Sequence, residues 1–262
     1  MAYFMDEFSK IKRHNSFGVV TGKPLNIGGS EGRGTATARG LAFTIEEAAK
    51  VMKMNLSDTT AVIQGYGNAG AYAHMFLDEL GVKVVAVTDS KGGAKKIDGM
   101  TYKEVSVQKT KTKTVEGLAG SQCISNEKLL EMDVDILVPA ALENQITEHN
   151  ASNIKAKLIG DAANGPITPQ ADDILFKNGA VIIPDILANS GGVSVSYLEW
   201  VQNLQSYYWT AEDIDKKLRK IMMDAFKDSW DTAAKYQVDM RKGAYISAIR
   251  KVADVMKIRG WV

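Results

Sequence analysis

Three glycines, Gly65, Gly67 and Gly70, stand at the spacing G-x-G-x-x-G where a short apolar run from Thr60 to Gln64 breaks off. The chemistry of such a turn needs no side chain, because it gathers backbone N–H groups at one point. One glycine allows the tight turn, one lets the backbone approach a pyrophosphate, and one lets the next helix pack closely on the strand. Behind Gly70, the stretch Ala71 to Leu77 repeats apolar residues at helical spacing. The N-terminus of that helix, with Asn68 and Ala69 inside the turn, offers free N–H groups and a dipole that favour an anion. Gly81 stops the helix, Val82 to Val87 reads as a second buried strand, and Asp89 with Ser90 closes it. A carboxylate roughly 20 residues past the turn suits the hydroxyls of an adenosine ribose. The bare glycine motif also occurs in turns that bind nothing; strand, turn, helix, strand and acid in this order point to a dinucleotide. Asp89 should repel a 2′-phosphate and so argues for NAD. Lys91, Lys95 and Lys96 close behind would neutralise a phosphate, which keeps NADP open.

The elements that must position these groups alternate. The run Asp135 to Pro139, then Lys157 to Gly160, then Ala180 to Ile183 read as buried strands, and helices are expected over Ser125–Met132, Thr147–Ile154 and Thr168–Lys177. Alternation of this kind predicts an α/β fold, a doubly wound and mainly parallel Rossmann-like sheet covered on both faces. Right-handed crossovers bring all strand C-terminal ends to one edge, where ligands of such sheets bind. Residues 1–14 read as an amphipathic helix, residues 15–40 as a glycine-rich functional loop, and about 40–54 as a helix. Residues 91–122, basic and without apolar periodicity, read as a solvated connection. The last third is helical, with helices over Tyr197–Tyr208, Ala211–Tyr236 and a final stretch through Tyr245 and Met256. The whole is read as one domain, 1–262, with a hinge helix at 1–14, a core at 15–205 and C-terminal helices at 206–262.

Composition narrows the function. A net charge of +1 over 262 residues gives no electrostatic case for nucleic acid or an anionic membrane. The one cysteine, Cys123, forms no internal disulfide and suits a reducing compartment, no apolar run reaches the ~20 residues of a membrane span, and no signal peptide is seen. A cytoplasmic protein is expected. His14, His74 and His149 fall into no triad or metal spacing and read as surface or packing residues, so no metal is expected. Trp200, Tyr207, Tyr208 and Trp209 read as core or interdomain packing.

Several further motifs fall in a recognisable order: Gly28-Gly29-Ser30-x-Gly32-Arg33, Ala36-Thr37-x-Arg39-Gly40, the glycine turn, Val138-Pro139-Ala140-Ala141, Ala163-Asn164-Gly165-Pro166, and Pro184-Asp185-Ile186-Leu187-Ala188-Asn189-x-Gly191-Gly192-Val193-x-Val195-Ser196-Tyr197-x-Glu199-Trp200. Together they resemble hexameric glutamate dehydrogenase, chiefly its bacterial and archaeal members. The resemblance implies oxidation of L-glutamate to 2-oxoglutarate and ammonia with hydride transfer to NAD or NADP. It implies roles residue by residue: Thr37 on the nicotinamide carboxamide, Asn68 on the pyrophosphate, Ala140 and Ala141 beside the nicotinamide ribose, Asn164 and Asn189 at the nicotinamide end. Val193 and Ser196 would belong to the substrate pocket, Ser196 donating to the side-chain carboxylate of glutamate. Nothing here corresponds to the family's N-terminal substrate domain with its catalytic lysines and aspartate. The chain therefore reads as a coenzyme-binding domain that binds coenzyme without turnover, an excised domain or a split gene, monomeric or weakly dimeric where the whole enzyme is a homohexamer. Other readings are a free-standing nucleotide-binding module and the same domain of a leucine, phenylalanine or valine dehydrogenase. From the residues alone, Asn164 also suits a plain turn and Ser196 a helix N-cap. Ala38 and Asp161-Ala162 depart from the family's usual Gly and Glu-Gly, and Gly34-Thr35 from a bulkier pair.

Overall fold

The computed structural model describes residues 1–261. Among these residues seven strands form one sheet, in the order β4 (Gln122–Cys123), β3 (Gly93–Lys95), β2 (Lys83–Thr88), β1 (Thr60–Gln64), β5 (Ile136–Pro139), β6 (Leu158–Gly160), β7 (Val181–Ile183). Five of them, β1, β2, β5, β6 and β7, run parallel. The expected doubly wound, mainly parallel α/β sheet is therefore present. Alternate strand residues feed two separate apolar layers. Ala61, Ile63, Val84, Val87, Ile136, Val138 and Leu158 face one; Val62, Val85, Ala86, Leu137, Ile159 and Ile182 face the other. A sheet buried on both faces needs near-continuous apolar strands, which is how these segments read.

The first layer is covered by α2 (Ala36–Met52), α3 (Asn68–Glu79), α4 (Tyr102–Thr112), α8 (Gly191–Gln205) and α9 (Ala211–Tyr236). The second is covered by α5 (Asn126–Leu130) and α6 (Pro169–Lys177). The short α7 (Asp185–Ala188) links β7 to α8, and α10 (Met240–Ile258) packs antiparallel on α9 and against β7. Two bidentate pairs tie α9 to α2: Arg39 with Asp215, at 2.7 and 3.1 Å, and Arg219 with Glu46, at 3.2 and 2.8 Å. Helix α1 (Ala2–Lys12) buries none of its residues.

Some elements differ from the sequence reading. Residues 91–122 are not a bare connection. They hold β3 (Gly93–Lys95), α4 and β4 (Gln122–Cys123), the two strands pairing antiparallel at the sheet edge. Helix α4 is polar nearly all round, burying Val105 alone, so periodicity gave no signal; its mark is the capping box of Thr101 and Glu104. Helix α2 starts four residues earlier than expected and α8 six, which puts Thr37 in the first turn of α2 and Ser196 in the second turn of α8. Over Thr147–Ile154 only a single 3₁₀ turn forms, at Ala151–Asn153. Of the aromatic group, Trp200, Tyr207 and Tyr208 are exposed and contribute nothing to the core; Trp209 packs against it. Among the described residues, no helix is long and apolar enough to cross a membrane.

Candidate functional site

The sheet changes winding direction between β1 and β5, and the strand ends meet there in register, Gln64 beside Pro139. A cleft at such a switch point is the usual ligand position of doubly wound sheets. Gly65 makes the junction. Its φ of +91° is left-handed, and a Cβ there would stand 2.8 Å from the backbone of both Ala140 and Ala141. The glycine turn thus lies directly against the pair of alanines singled out by sequence. Gly67 is the opposite case: a Cβ would meet nothing within 4 Å, so the turn opens to the cleft at that point. No side chain caps α3, whose first residues are Asn68, Ala69 and Gly70. An uncapped helix start, a backbone open at Gly67 and a glycine pressed on the neighbouring strand end suit a pyrophosphate, and the dinucleotide fits this frame.

By the end of β5, where the N–H of Ala162 donates to the Pro139 carbonyl, lies a pocket of about 440 Å³, lined by Thr21, Arg33, Thr37, Ala162, Asn164, Asn189, Gly192, Val193 and Ser196. Thr37, Asn164 and Asn189, expected at the nicotinamide end, and Val193 and Ser196, expected in the substrate pocket, come together here from three distant segments. Helices α2 and α8 make this possible by extreme closeness: a Cβ on Gly191 would lie 2.1 Å from the Ala36 carbonyl oxygen. Both helices start at the pocket without a side-chain cap, so two dipoles favour negative charge in it. The Asn189 side-chain amide donates to the Asn164 side-chain oxygen at 2.7 Å, so these two act as a pair. Ser196 lies in the second turn of α8, whose N-cap is Ser190, and the capping reading of Ser196 is thereby corrected. Its hydroxyl instead accepts from Arg33 Nε at 3.0 Å.

Arg33 is the residue that the sequence reading passed over. It stood within a quoted motif but was given no role, because a single arginine in a glycine-rich loop carries no spacing. The loop is anchored to α8: the N–H of Gly22 donates to Glu199, the Gln202 amide to Ser30, and the Asn203 amide to the Gly28 carbonyl. That anchoring sets the guanidinium beside Ser196. A fixed cation with a neighbouring hydroxyl and two helix N-termini forms a site for a carboxylate.

Asp89 requires correction. The expectation was a carboxylate free to receive ribose hydroxyls, but this one is buried and already occupied. Oδ1 accepts from the N–H of Lys91 and of Gly92 and from the Thr114 hydroxyl, at 2.8, 3.3 and 3.3 Å; Oδ2 accepts from Lys109 Nζ and the N–H of Val115, at 2.6 and 2.8 Å. Burial opposes its charge, yet Lys109 and the N–H groups of Lys91 and Val115 hold its carboxyl below the usual range. The carboxylate closes the β2–β3 turn onto the segment after α4. Lys91, Lys95 and Lys96 were expected to neutralise a 2′-phosphate; the lysine whose ammonium pairs with Asp89 is a fourth, Lys109. Ser90 is exposed at the rim. Of the histidines, His74 is fully buried between the Tyr66 hydroxyl at 2.7 Å and the Met100 carbonyl at 2.9 Å, beneath the glycine turn.

Comparison with known proteins follows the same lines. A sequence model of the glutamate/leucine/phenylalanine/valine dehydrogenases matches residues 28–260. The chain is 47% identical over 262 residues to a catabolic NAD-specific glutamate dehydrogenase of Bacillus subtilis, and 45% identical over 261 residues to an NAD-specific glutamate dehydrogenase of Staphylococcus aureus. All of the chain is covered in both matches, but only 62% and 63% of those relatives. Among solved structures, glutamate dehydrogenase of Peptoniphilus asaccharolyticus superposes with a TM-score of 0.88 at 38% identity, over 100% of this chain and 62% of that one. The hetero-hexameric glutamate dehydrogenase of Thermus thermophilus gives 0.91 at 31% identity, over 98% and 61%.

Proposed function

The chain belongs to the glutamate/leucine/phenylalanine/valine dehydrogenase family, and on that premise we propose that it is the coenzyme-binding part of an NAD-dependent glutamate dehydrogenase, binding coenzyme without turning over substrate by itself. It spans about three fifths of the relatives it matches, so the complete reaction is assigned to a larger protein than this chain. The coenzyme is NAD because the similar proteins bear NAD in their names. Asp89, held by five donors, supplies a weaker argument against a 2′-phosphate than its position suggested.

The turn from Gly65 to Gly70, with Asn68, would hold the pyrophosphate on the start of α3. Ser90 would stand at the adenosine ribose. Thr37, Ala140, Ala141, Asn164 and Asn189 would hold and orient the nicotinamide end, the asparagines as one hydrogen-bonded unit. When bound, the nicotinamide supplies the acceptor for the hydride leaving the substrate carbon that bears the amino group. Val193 and Ser196 would face the substrate, and Arg33 would pair with a carboxylate. That pair favours glutamate over leucine, phenylalanine or valine, whose apolar side chains offer no acceptor to the Ser196 hydroxyl proton or to the rest of the guanidinium.

The observation that carries the reading is the lining of the pocket. It has hydrogen-bonding groups and one permanent cation, but no Asp, Glu, His, Lys or Cys to take up or release a proton. Such a pocket orients; it does not perform acid–base work. Calorimetric titration of the pure chain with NAD and with NADP, followed by a glutamate assay on the same sample, tests this. Binding of NAD with no turnover is expected. Cofactor-dependent glutamate oxidation by the pure chain would overturn it, and binding of neither coenzyme would leave a module of another kind.

A further inference from the structure

We propose that Arg241, on α10, is a positioning residue for the nicotinamide end of the cleft, clamping from outside the two loops that carry Asn164 and Asn189; this rests on the coenzyme reading above. Its guanidinium, largely buried, donates to three carboxylates on three segments: Nη2 to Asp161 at 2.7 Å, Nη1 to Asp185 at 2.7 Å, and Nε to Asp172. Asp161 stands at the end of β6, three residues before Asn164. Asp185 opens α7, whose last turn leads into Asn189. The other oxygen of Asp185 accepts the N–H of Gly165 at 2.8 Å, the residue after Asn164. Both asparagine arms therefore hang from one guanidinium, and their tips meet in the 2.7 Å bond between Asn189 and Asn164.

The plain alternative is an ion cluster that glues α10 to the sheet. Two features count against it. One cation faces three carboxylates, and the next residue on this helix, Lys242, is taken by Asp173 and Asp239, at 3.0 and 2.8 Å. Asp161, fully buried, keeps Oδ1 without any partner. Glue of this composition is costly, and an apolar contact would hold the helix better. Burial pushes the Asp161 carboxyl up to about 7, with Arg241 offsetting only part of that push. The cluster gives orientation instead: a planar guanidinium grips three directions at once, which an ammonium cannot do.

The test uses the whole chain with Arg241→Lys and, separately, Asp185→Asn, each titrated with NADH and with ADP-ribose. ADP-ribose shares the adenosine and pyrophosphate but lacks the nicotinamide. Both variants are expected to lose about tenfold in NADH affinity while their ADP-ribose affinity stays within about twofold of the parent. Should Arg241→Lys fail to fold, Asp185→Asn, which keeps the size and the Gly165 acceptor, carries the comparison. A folded variant in which both affinities are unchanged, or in which both fall together, overturns the proposal. The parent chain judges the coenzyme reading separately: if it binds neither molecule, that reading fails and takes the positioning role with it.

Discussion

Strands β2 and β6 each end in a buried aspartate, Asp89 and Asp161, and the two carboxylates meet opposite conditions. Asp89 has five donors on two oxygens and is held below the usual carboxylate range. Asp161 shares Arg241 with two other acids, leaves one oxygen unpartnered and is pushed up to about 7. The same residue type at equivalent places in the sheet thus serves two ends. At Asp89 the charge closes the turn after β2 onto the segment after α4. At Asp161 an imperfectly satisfied charge lies behind a pocket made of side chains, where position has to be set and not merely held.

The comparison can be broken in two places. The larger effect is a pH swing at Asp161. Its folded-state value lies above its unfolded one, so the folded chain binds a proton that the unfolded chain has lost. The stability this provides is complete below the ordinary carboxylate range and is lost as pH rises through about 7. Relative to Asp161→Asn, which keeps the neutral form at every pH, the parent should lose on the order of a few kcal/mol between about pH 4 and about pH 8. Thermal unfolding of both proteins across that range checks it, and parallel curves would show that Arg241 already satisfies Asp161. The smaller effect is at Asp89. Replacement by Ala leaves Lys109 and three N–H groups without their acceptor and should cost about 2 kcal/mol, measured by urea unfolding. A variant of parental stability but altered preference between NAD and NADP would return Asp89 to the recognition role that its spacing suggested.

How far the sequence carried this picture follows from where each signal resides. The glycine turn was legible because its function is backbone geometry, and only glycine allows Gly65 its φ of +91° against Ala140. The parallel strands were legible because burial on both faces demands unbroken apolar runs. Helix α4 was not, since it buries one residue and its capping box is a four-residue pattern inside a basic stretch. The occupation of Asp89 was not, since its partner Lys109 comes from that same helix. Thr37, Asn164, Asn189, Val193 and Ser196 were singled out by their resemblance to a family, because no local spacing joins them. Arg33 and Arg241 escaped for the same reason: each acts on residues more than fifty positions away, and only the fold brings them there.

The most direct measurement of the central claim, that the glycine turn holds the coenzyme through its backbone, is NADH titration of Gly67→Val beside the parent. A Cβ at Gly67 would meet no protein atom within 4 Å, so thermal unfolding is expected to be unchanged while the turn is filled. The account predicts parental stability with NADH affinity lowered by at least about tenfold, ~1.4 kcal/mol. Equal affinity in the two proteins would mean that the coenzyme is held elsewhere, and would contradict the account.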